Sequence, residues 1–224
     1  MSDPDVVRAL LERHGTTFAE DAGIHLADEP APLWRLLVLT LLLSTRIRSA
    51  TAVVAARALS DAGWTTPARM RDSPRRQRVA VLGRAGYRRY DERTATRLGE
   101  LADAVLDRYD GDLRRLRDHV RDDTDGADGA GDARVVERAL QGFAGIGPGG
   151  AAIFCREAQG VWPGLAPYVD DLAARGAERL GLPAADDELA RLVSPGDLPR
   201  LVAACVRAAR DPAVVADVTG HRDG

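Results

Sequence analysis

The segment 145–150, Gly-Ile-Gly-Pro-Gly-Gly, has the residue types of a backbone site for a phosphate group. Its glycines allow positive φ angles and the close approach of another backbone, while Ile146 can anchor the turn between two helices. The amides at the start of the second helix then point outward, which suits a phosphate oxygen. On spacing alone, a tight connection between two helices explains this hairpin segment equally well.

Two aspartates, Asp170 and Asp171, lie where the next helix is predicted to begin. They follow the Pro/Gly-rich loop 160–167 and the residues Tyr168 and Val169. A lone aspartate at such a place is explained by helix N-capping, which stabilises a helix by about 1 kcal/mol. The order of hairpin segment, Pro/Gly-rich loop and aspartate makes capping alone a less complete explanation.

The chain has no lysine, since all 31 residues in the Lys and Arg total are arginine. Lysine-based Schiff-base catalysis is therefore excluded, and so is a P-loop nucleotide site, which needs its lysine. A coding bias toward Ala, Arg, Gly and Asp explains the arginine excess equally well and leaves both exclusions unchanged. The two cysteines, Cys155 and Cys205, are too few for a disulfide framework or a four-cysteine metal or iron–sulfur site.

Charge is distributed unevenly along the 224 residues. The formal net charge is −3, but residues 69–97 hold ten arginines and three acidic residues, a local charge of +7. Residues 122–132 hold five aspartates among small residues, which predicts a solvated loop or a disordered insertion. A charge run most often forms a solvated helix face, although this basic segment is also suited to a phosphate backbone.

The apolar periodicity predicts an all-α fold in which helices position these segments. Aromatic residues make up only 4% of the chain, so we expect a core of Leu, Val and Ala. The stretch 33–43 is apolar almost all round, which predicts a central helix. The last dozen residues are expected to fray. Helices are predicted at 5–14, 33–43, 48–62, 91–109, 112–119, 134–141, 150–159, 169 or 170–180, 186–193 and 198–210, with short ones beginning at Thr66-Pro67 and Ser73-Pro74.

Four segments in this order resemble the helix-hairpin-helix (HhH-GPD) base-excision DNA glycosylases, the endonuclease III superfamily. They are the apolar stretch 36–45 with its Leu-Leu-Ser, the Gly-hydrophobic segment 85–95, the hairpin segment, and the Pro/Gly-rich loop with its aspartate. The likeness covers roughly residues 24–182. It implies a two-lobed helical fold with the active site in the cleft between the lobes.

The resemblance also implies a division of the chain into four regions. Residues 1–32 would pack with the C-terminal lobe, and residues 33–140 would form a barrel-like helical lobe with an acidic loop at 121–133. Residues 141–171 would hold the hairpin segment and the active-site aspartate. Residues 172–224 would form the C-terminal helices.

The catalytic role falls to Asp170, because the family places its aspartate directly after a hydrophobic residue, here Val169. Asp171 is the alternative. Bifunctional members carry a lysine two residues after the second hairpin glycine, where this chain has Gly149, so the lyase nucleophile is absent. The implied reaction is hydrolysis of the N-glycosidic bond of a damaged or mispaired base in duplex DNA. A non-catalytic DNA-binding relative and a helical protein-interaction module are the alternatives.

This chain departs from the family pattern in two respects. It lacks the iron–sulfur cysteine loop, and nothing after Leu182 matches the family. Asp170 follows Gly147 by 23 residues, a few more than the family pattern, which predicts a different pocket loop.

Further roles follow from the same resemblance. Arg46 is the candidate to fill the space that a flipped base leaves, and Tyr87 or Arg88 is the candidate wedge on the opposite strand. Surface positions on turns between helices are the alternative explanation. Trp162 and Tyr168 can stack on a flipped base, although core packing explains them equally well. Contacts to the DNA backbone are assigned to Gly145, Ile146, Gly147, Gly149 and Gly150.

The expected partner is double-stranded DNA with a damaged or mispaired base, bound by a monomer. No metal and no cofactor are expected, apart from a monovalent cation at the hairpin segment. The first five residues are acidic and polar, unlike a signal peptide, and no apolar stretch is long enough to span a bilayer. A cytoplasmic, nucleoid-associated location is therefore expected.

Overall fold

In this computed structural model, residues 2–123 and 129–220 are described, with side chains outside 120–132. These described residues form helices and turns without any β-strand, so the predicted all-α class is confirmed. A short 3₁₀ helix occupies Pro163–Leu165. The α-helices are α1 Asp3–His14, α2 Phe18–Asp21, α3 Pro30–Leu43, α4 Ser49–Asp61, α5 Pro67–Asp72, α6 Arg75–Arg84, α7 Asp91–Tyr109, α8 Arg114–Asp123, α9 Gly129–Gln141, α10 Pro148–Ala158, α11 Asp171–Arg179, α12 Asp186–Ala190, α13 Leu198–Arg210 and α14 Pro212–Thr219.

The division of the chain differs from the four expected regions. Contacts separate two compact units, with Met1–Phe18 and Arg156–Gly224 in unit 1 and Ala19–Cys155 in unit 2. The expected N-terminal region, residues 1–32, is thus split after Phe18. The expected region of residues 141–171 is split inside α10.

Helix α3 lies in the core of unit 2, as its apolar composition predicts. Proline in its first turn suits a helix start, where the missing N–H has no intrahelical acceptor to lose. Trp34 is fully buried, and its indole N–H donates to the carbonyl oxygen of Trp64 at 3.3 Å. Helix α4 packs on α3, while α5 and α6 pack on α7. Apolar side chains of α7 face inward at Ala95, Leu98, Leu101, Ala102 and Val105.

Two expectations about the ends of elements are wrong. The acidic tract 121–133 is not all loop, because α8 continues to Asp123 and α9 begins at Gly129; residues 124–128 lie outside the described residues. Fraying is expected for the last dozen residues, but 213–219 belong to α14, and residues 221–224 lie outside the described residues. The Asp211 carboxylate caps α14 by accepting from the amide of Ala213 at 2.9 Å, and Val214 and Val218 are buried.

Unit 1 depends on a close approach of two helices. Helix α11 packs on α13, and α1 packs on both α13 and α14. Gly176 of α11 lies against the backbone of α13, so that a Cβ atom there would be 1.8 Å from the carbonyl oxygen of Cys205. Only glycine fits at this crossing.

None of the described helices combines the length and the apolar character that crossing a membrane requires.

Gly176→Ala is expected to destabilise the protein by about 3 kcal/mol or more, because the methyl group cannot be accommodated without separating α11 from α13. Gly196→Ala is the matched control in the same unit, since no atom lies within 4 Å of its added Cβ. Urea unfolding followed by circular dichroism measures both. Equal unfolding midpoints for the two variants would show that the helices do not meet as described.

Candidate functional site

The hairpin segment joins α9 to α10 in unit 2, as its sequence predicts. Gly145 has φ +92°, a conformation that favours glycine. Ile146 is 3% exposed, and its amide donates to the carbonyl oxygen of Phe143 at 3.1 Å. A Cβ on Gly145 would lie 2.8 Å from Cδ1 of Leu41 and 2.9 Å from Cδ of Arg97. Gly145 is therefore required by both its backbone conformation and its neighbours.

The other glycines of the hairpin segment differ in their surroundings. A Cβ on Gly150 would be 2.5 Å from Oγ of Ser44, so this position is crowded. Gly147 and Gly149 are exposed, and no atom lies within 4 Å of a Cβ at either position. The amides of Gly149 and Gly150 lie in the first turn of α10, where the helix itself supplies no acceptor. This end of α10 can therefore bind an anion through its backbone.

Two arginines of α7 border this turn. The side chain of Arg97 lies against Gly145, as the short distance to its Cδ shows. Arg108 donates from Nη1 to the carbonyl oxygen of Gly142 at 3.2 Å, and its guanidinium lies 5.9 Å from the centre of the Phe143 ring. Arg93 is exposed one turn before Arg97 on the same helix. These positive charges add to the attraction of the α10 amides for an anion.

The basic segment 69–97 supplies fewer surface charges than its composition suggests. Arg78 is only 7% exposed, and its Nη1 donates to the carbonyl oxygens of Met70 and Ser73, each at 2.9 Å. Burial lowers the pKa of this guanidinium. Arg75 forms an ion pair with Glu92. Arg78 therefore caps the end of α5 and does not contribute its charge to the surface.

Asp170 lies in unit 1 at the N-cap of α11, and its side chain is 11% exposed. Its Oδ1 accepts from the amide of Ala173 at 2.8 Å, so the simple capping role is present. Its Oδ2 accepts from Nη1 of Arg156, a residue of α10 that is 2% exposed. Asp171, the alternative candidate, is exposed at the first position of α11.

Gln159 and Asp186 hold the backbone that leads to Asp170. The buried side chain of Gln159 donates to the carbonyl oxygen of Tyr168 at 3.0 Å and accepts from its amide at 3.1 Å. Asp186 accepts from the amide of Val169 at 3.4 Å, and partial burial raises its pKa. Sequence reasoning missed Arg156 and Gln159. The sequence signal that could have indicated them is a group of polar residues at the end of the otherwise apolar helix predicted at 150–159.

The candidates for contact with a DNA duplex are placed differently from one another. Arg46 and Arg88 are exposed, which suits the roles expected of them. Tyr87 is fully buried, and its hydroxyl donates to the carbonyl oxygen of Leu42 at 2.9 Å. Burial also raises the pKa of this hydroxyl. The expectation that Tyr87 is a wedge is therefore wrong in this structure, because the side chain belongs to the core of unit 2.

The two candidate stacking residues also differ. Trp162 is 1% exposed, so its ring belongs to the core of unit 1 and offers no face to a ligand. The expectation that Trp162 stacks on a base is wrong in this conformation. Tyr168 is partly exposed, with its backbone held by Gln159, and remains a candidate.

Among the described residues, no group of three or more His, Cys, Asp or Glu side chains is arranged to hold a metal ion. The monovalent cation expected at the hairpin segment stays a prediction. Comparisons of the chain with models of protein families, with curated proteins and with solved structures gave no significant match.

Gly145→Ala is expected to destabilise the protein by about 2 kcal/mol or more. Alanine is strained in the left-handed backbone conformation of this residue, and its methyl group would also clash with Leu41 and Arg97. Gly149→Ala is the matched control and should change the free energy of unfolding by about 1 kcal/mol at most, since its Cβ enters open space. Thermal unfolding compares the two variants. A Gly145→Ala protein as stable as the control would contradict the described turn.

Proposed function

We propose that this protein is a monofunctional DNA glycosylase with the two-lobed helix-hairpin-helix fold. The observation that carries the proposal is the path of the chain from α9 to α11. A glycine turn with a buried Ile146 leads into α10, and a Pro/Gly-rich loop leads from α10 to Asp170 at the N-cap of α11. This order of elements, with a carboxylate at that cap, is what the resemblance to the endonuclease III superfamily implies.

Asp170 is the residue that assists hydrolysis in this proposal. As the N-glycosidic bond breaks, its electrons leave with the base and positive charge develops on the sugar. A carboxylate beside that carbon stabilises the charge and accepts a proton from the attacking water. The base must first leave the duplex stack, at a cost of about a few kcal/mol that is smaller for damaged or mispaired bases.

Backbone binding is assigned to the hairpin segment and to the arginines around it. The amides of Gly149 and Gly150 face a phosphate oxygen, with Arg97 supplying charge beside the turn. Arg46 fills the space that the flipped base leaves, and Arg88 is the wedge. Tyr168 stacks on the base.

The reaction in this proposal ends at an intact abasic site. Gly149 stands at the position of the lyase lysine, and the chain has no other lysine to replace it. The substrate class is a duplex with a damaged or mispaired base, bound by a monomer without a cofactor.

A second candidate function is DNA binding without catalysis. Both oxygens of Asp170 already accept a hydrogen bond, and Trp162 is packed into the core. These observations favour a structural role for the aspartate in a relative that has lost its base pocket. Binding without release of any base would identify this function.

Asp170→Asn is expected to lower the rate of base excision by about 100-fold or more, since asparagine can cap α11 but cannot accept the proton or supply the charge. Single-turnover excision from the duplex that the wild type processes fastest measures this loss. Circular dichroism must show that the variant is folded, because it leaves the buried Arg156 without its carboxylate.

Asp171→Asn is the matched control for that experiment and should excise at nearly the wild-type rate. It removes the same charge from the neighbouring exposed position. Full excision by the folded Asp170→Asn protein would refute the assignment of Asp170.

Arg97→Gln is expected to weaken binding to undamaged duplex DNA and to reduce the salt dependence. The slope of log K against log salt concentration should fall by about one, because one phosphate contact is lost. Arg115→Gln is the control in the same unit, since Arg115 is already paired with Asp110. Fluorescence anisotropy titrations at several salt concentrations measure both. An unchanged slope for Arg97→Gln would remove this residue from the interface.

A further inference from the structure

Arg156 is a buried arginine whose guanidinium is held by groups of its own unit. It lies in the last turn of α10 and is 2% exposed. Nη1 donates to Oδ2 of Asp170, and Nε lies 3.9 Å from Oε1 of Glu157. Its guanidinium carbon lies 5.7 Å from the centre of the Phe18 ring. These contacts fix the orientation of the guanidinium.

The Asp170 carboxylate is consequently held from two sides. The amide of Ala173 binds Oδ1 at 2.8 Å, and Arg156 binds Oδ2. The cap alone would be made as well by asparagine or serine, but either of them would leave the buried guanidinium of Arg156 without its counter-ion. Each carboxylate oxygen keeps a second lone pair, so these two bonds leave Asp170 able to accept a proton.

Stability alone does not explain this ion pair. A buried ion pair stabilises a fold no more than well-packed apolar side chains of similar volume, because both charges lose their hydration. What the pair does provide is a fixed orientation of the carboxylate. Gln159, the first residue after α10, fixes the backbone of Tyr168 two residues before Asp170. Arg156 and Gln159 together therefore hold the orientation of this aspartate and the backbone that leads to it.

We propose that Arg156 is a positioning residue for base excision, which holds the Asp170 carboxylate in the orientation that the reaction needs. This inference rests on the proposed glycosylase function. Arg156 acts through Asp170 and neither binds the base nor transfers a proton. A displaced carboxylate slows the chemical step while leaving the hairpin segment free to bind DNA.

The test compares Arg156→Gln with the wild type in two measurements. The single-turnover rate of base excision should fall by about 100-fold, the loss that a displacement of about 1 Å produces. The Kd for undamaged duplex should stay within about twofold, because the hairpin segment is unchanged. Arg156→Lys keeps the charge in a shorter side chain that lacks the planar fork, so its rate should lie between those of Arg156→Gln and the wild type, about tenfold below the wild type.

Arg207→Gln is the matched control. Arg207 of α13 stacks on the same Phe18 ring, with 4.5 Å between its guanidinium carbon and the ring centre, and donates to the carbonyl oxygen of His14. Its substitution disturbs the same cluster without touching the hydrogen bonds of Asp170, so the excision rate should stay within about threefold. An equal loss in Arg207→Gln would overturn the specific role of Arg156.

The remaining outcomes are also decisive. A wild-type rate in folded Arg156→Gln overturns the positioning role alone. If Arg156→Gln does not fold, Arg156→Lys decides: a reduced rate at unchanged Kd supports the role, and a wild-type rate or parallel losses of rate and binding overturn it. Absence of base release by the wild type overturns the proposed function, and the role of Arg156 falls with it.

Discussion

The buried ion pair between Arg156 and Asp170 is the interaction on which the candidate site depends. It joins the last turn of α10 to the N-cap of α11 across the Pro/Gly-rich loop. Phe18 brings the N-terminal segment to the same cluster, and Arg207 brings α13. Because an unpaired buried charge is strongly destabilising, each partner of the pair requires the other. The aspartate is held as a consequence of how the unit folds.

Glycines impose the second constraint on the fold, and they act in different ways. Gly176 permits contact between two helix backbones, and Gly145 permits a turn that no other residue makes without strain. Neither requirement applies to Gly149, since a Cβ atom there would lie in open space. Its identity is therefore not explained by packing.

The features predicted correctly from the sequence are local ones. Helix α13 begins and ends where the apolar periodicity places it, and the hairpin turn follows from glycines a few residues apart. The capping position of Asp170 depends only on the next three residues. Such features are set by neighbours along the chain, which a single sequence contains.

The features that sequence reasoning missed are set by contacts distant along the chain. Tyr87 bonds a carbonyl oxygen 45 residues away, so its position after a glycine could not reveal its burial. The ten arginines of residues 69–97 include Arg78, whose guanidinium is buried because it binds carbonyl oxygens at the end of α5. Arg156 precedes Asp170 by 14 residues, and nothing local pairs the two. Composition counts charges, but packing decides which of them face outward.

We propose that the protein releases a base from DNA and leaves the strand intact. The most direct measurement is the detection of free base and of strand breaks on a panel of duplex oligonucleotides. Each would carry one alkylated purine, deaminated or oxidised pyrimidine, or mispaired adenine. We expect at least one duplex to release its base, and its strand to break only after alkali treatment. DNA binding without base release from any duplex, or strand cleavage before alkali is added, would contradict it.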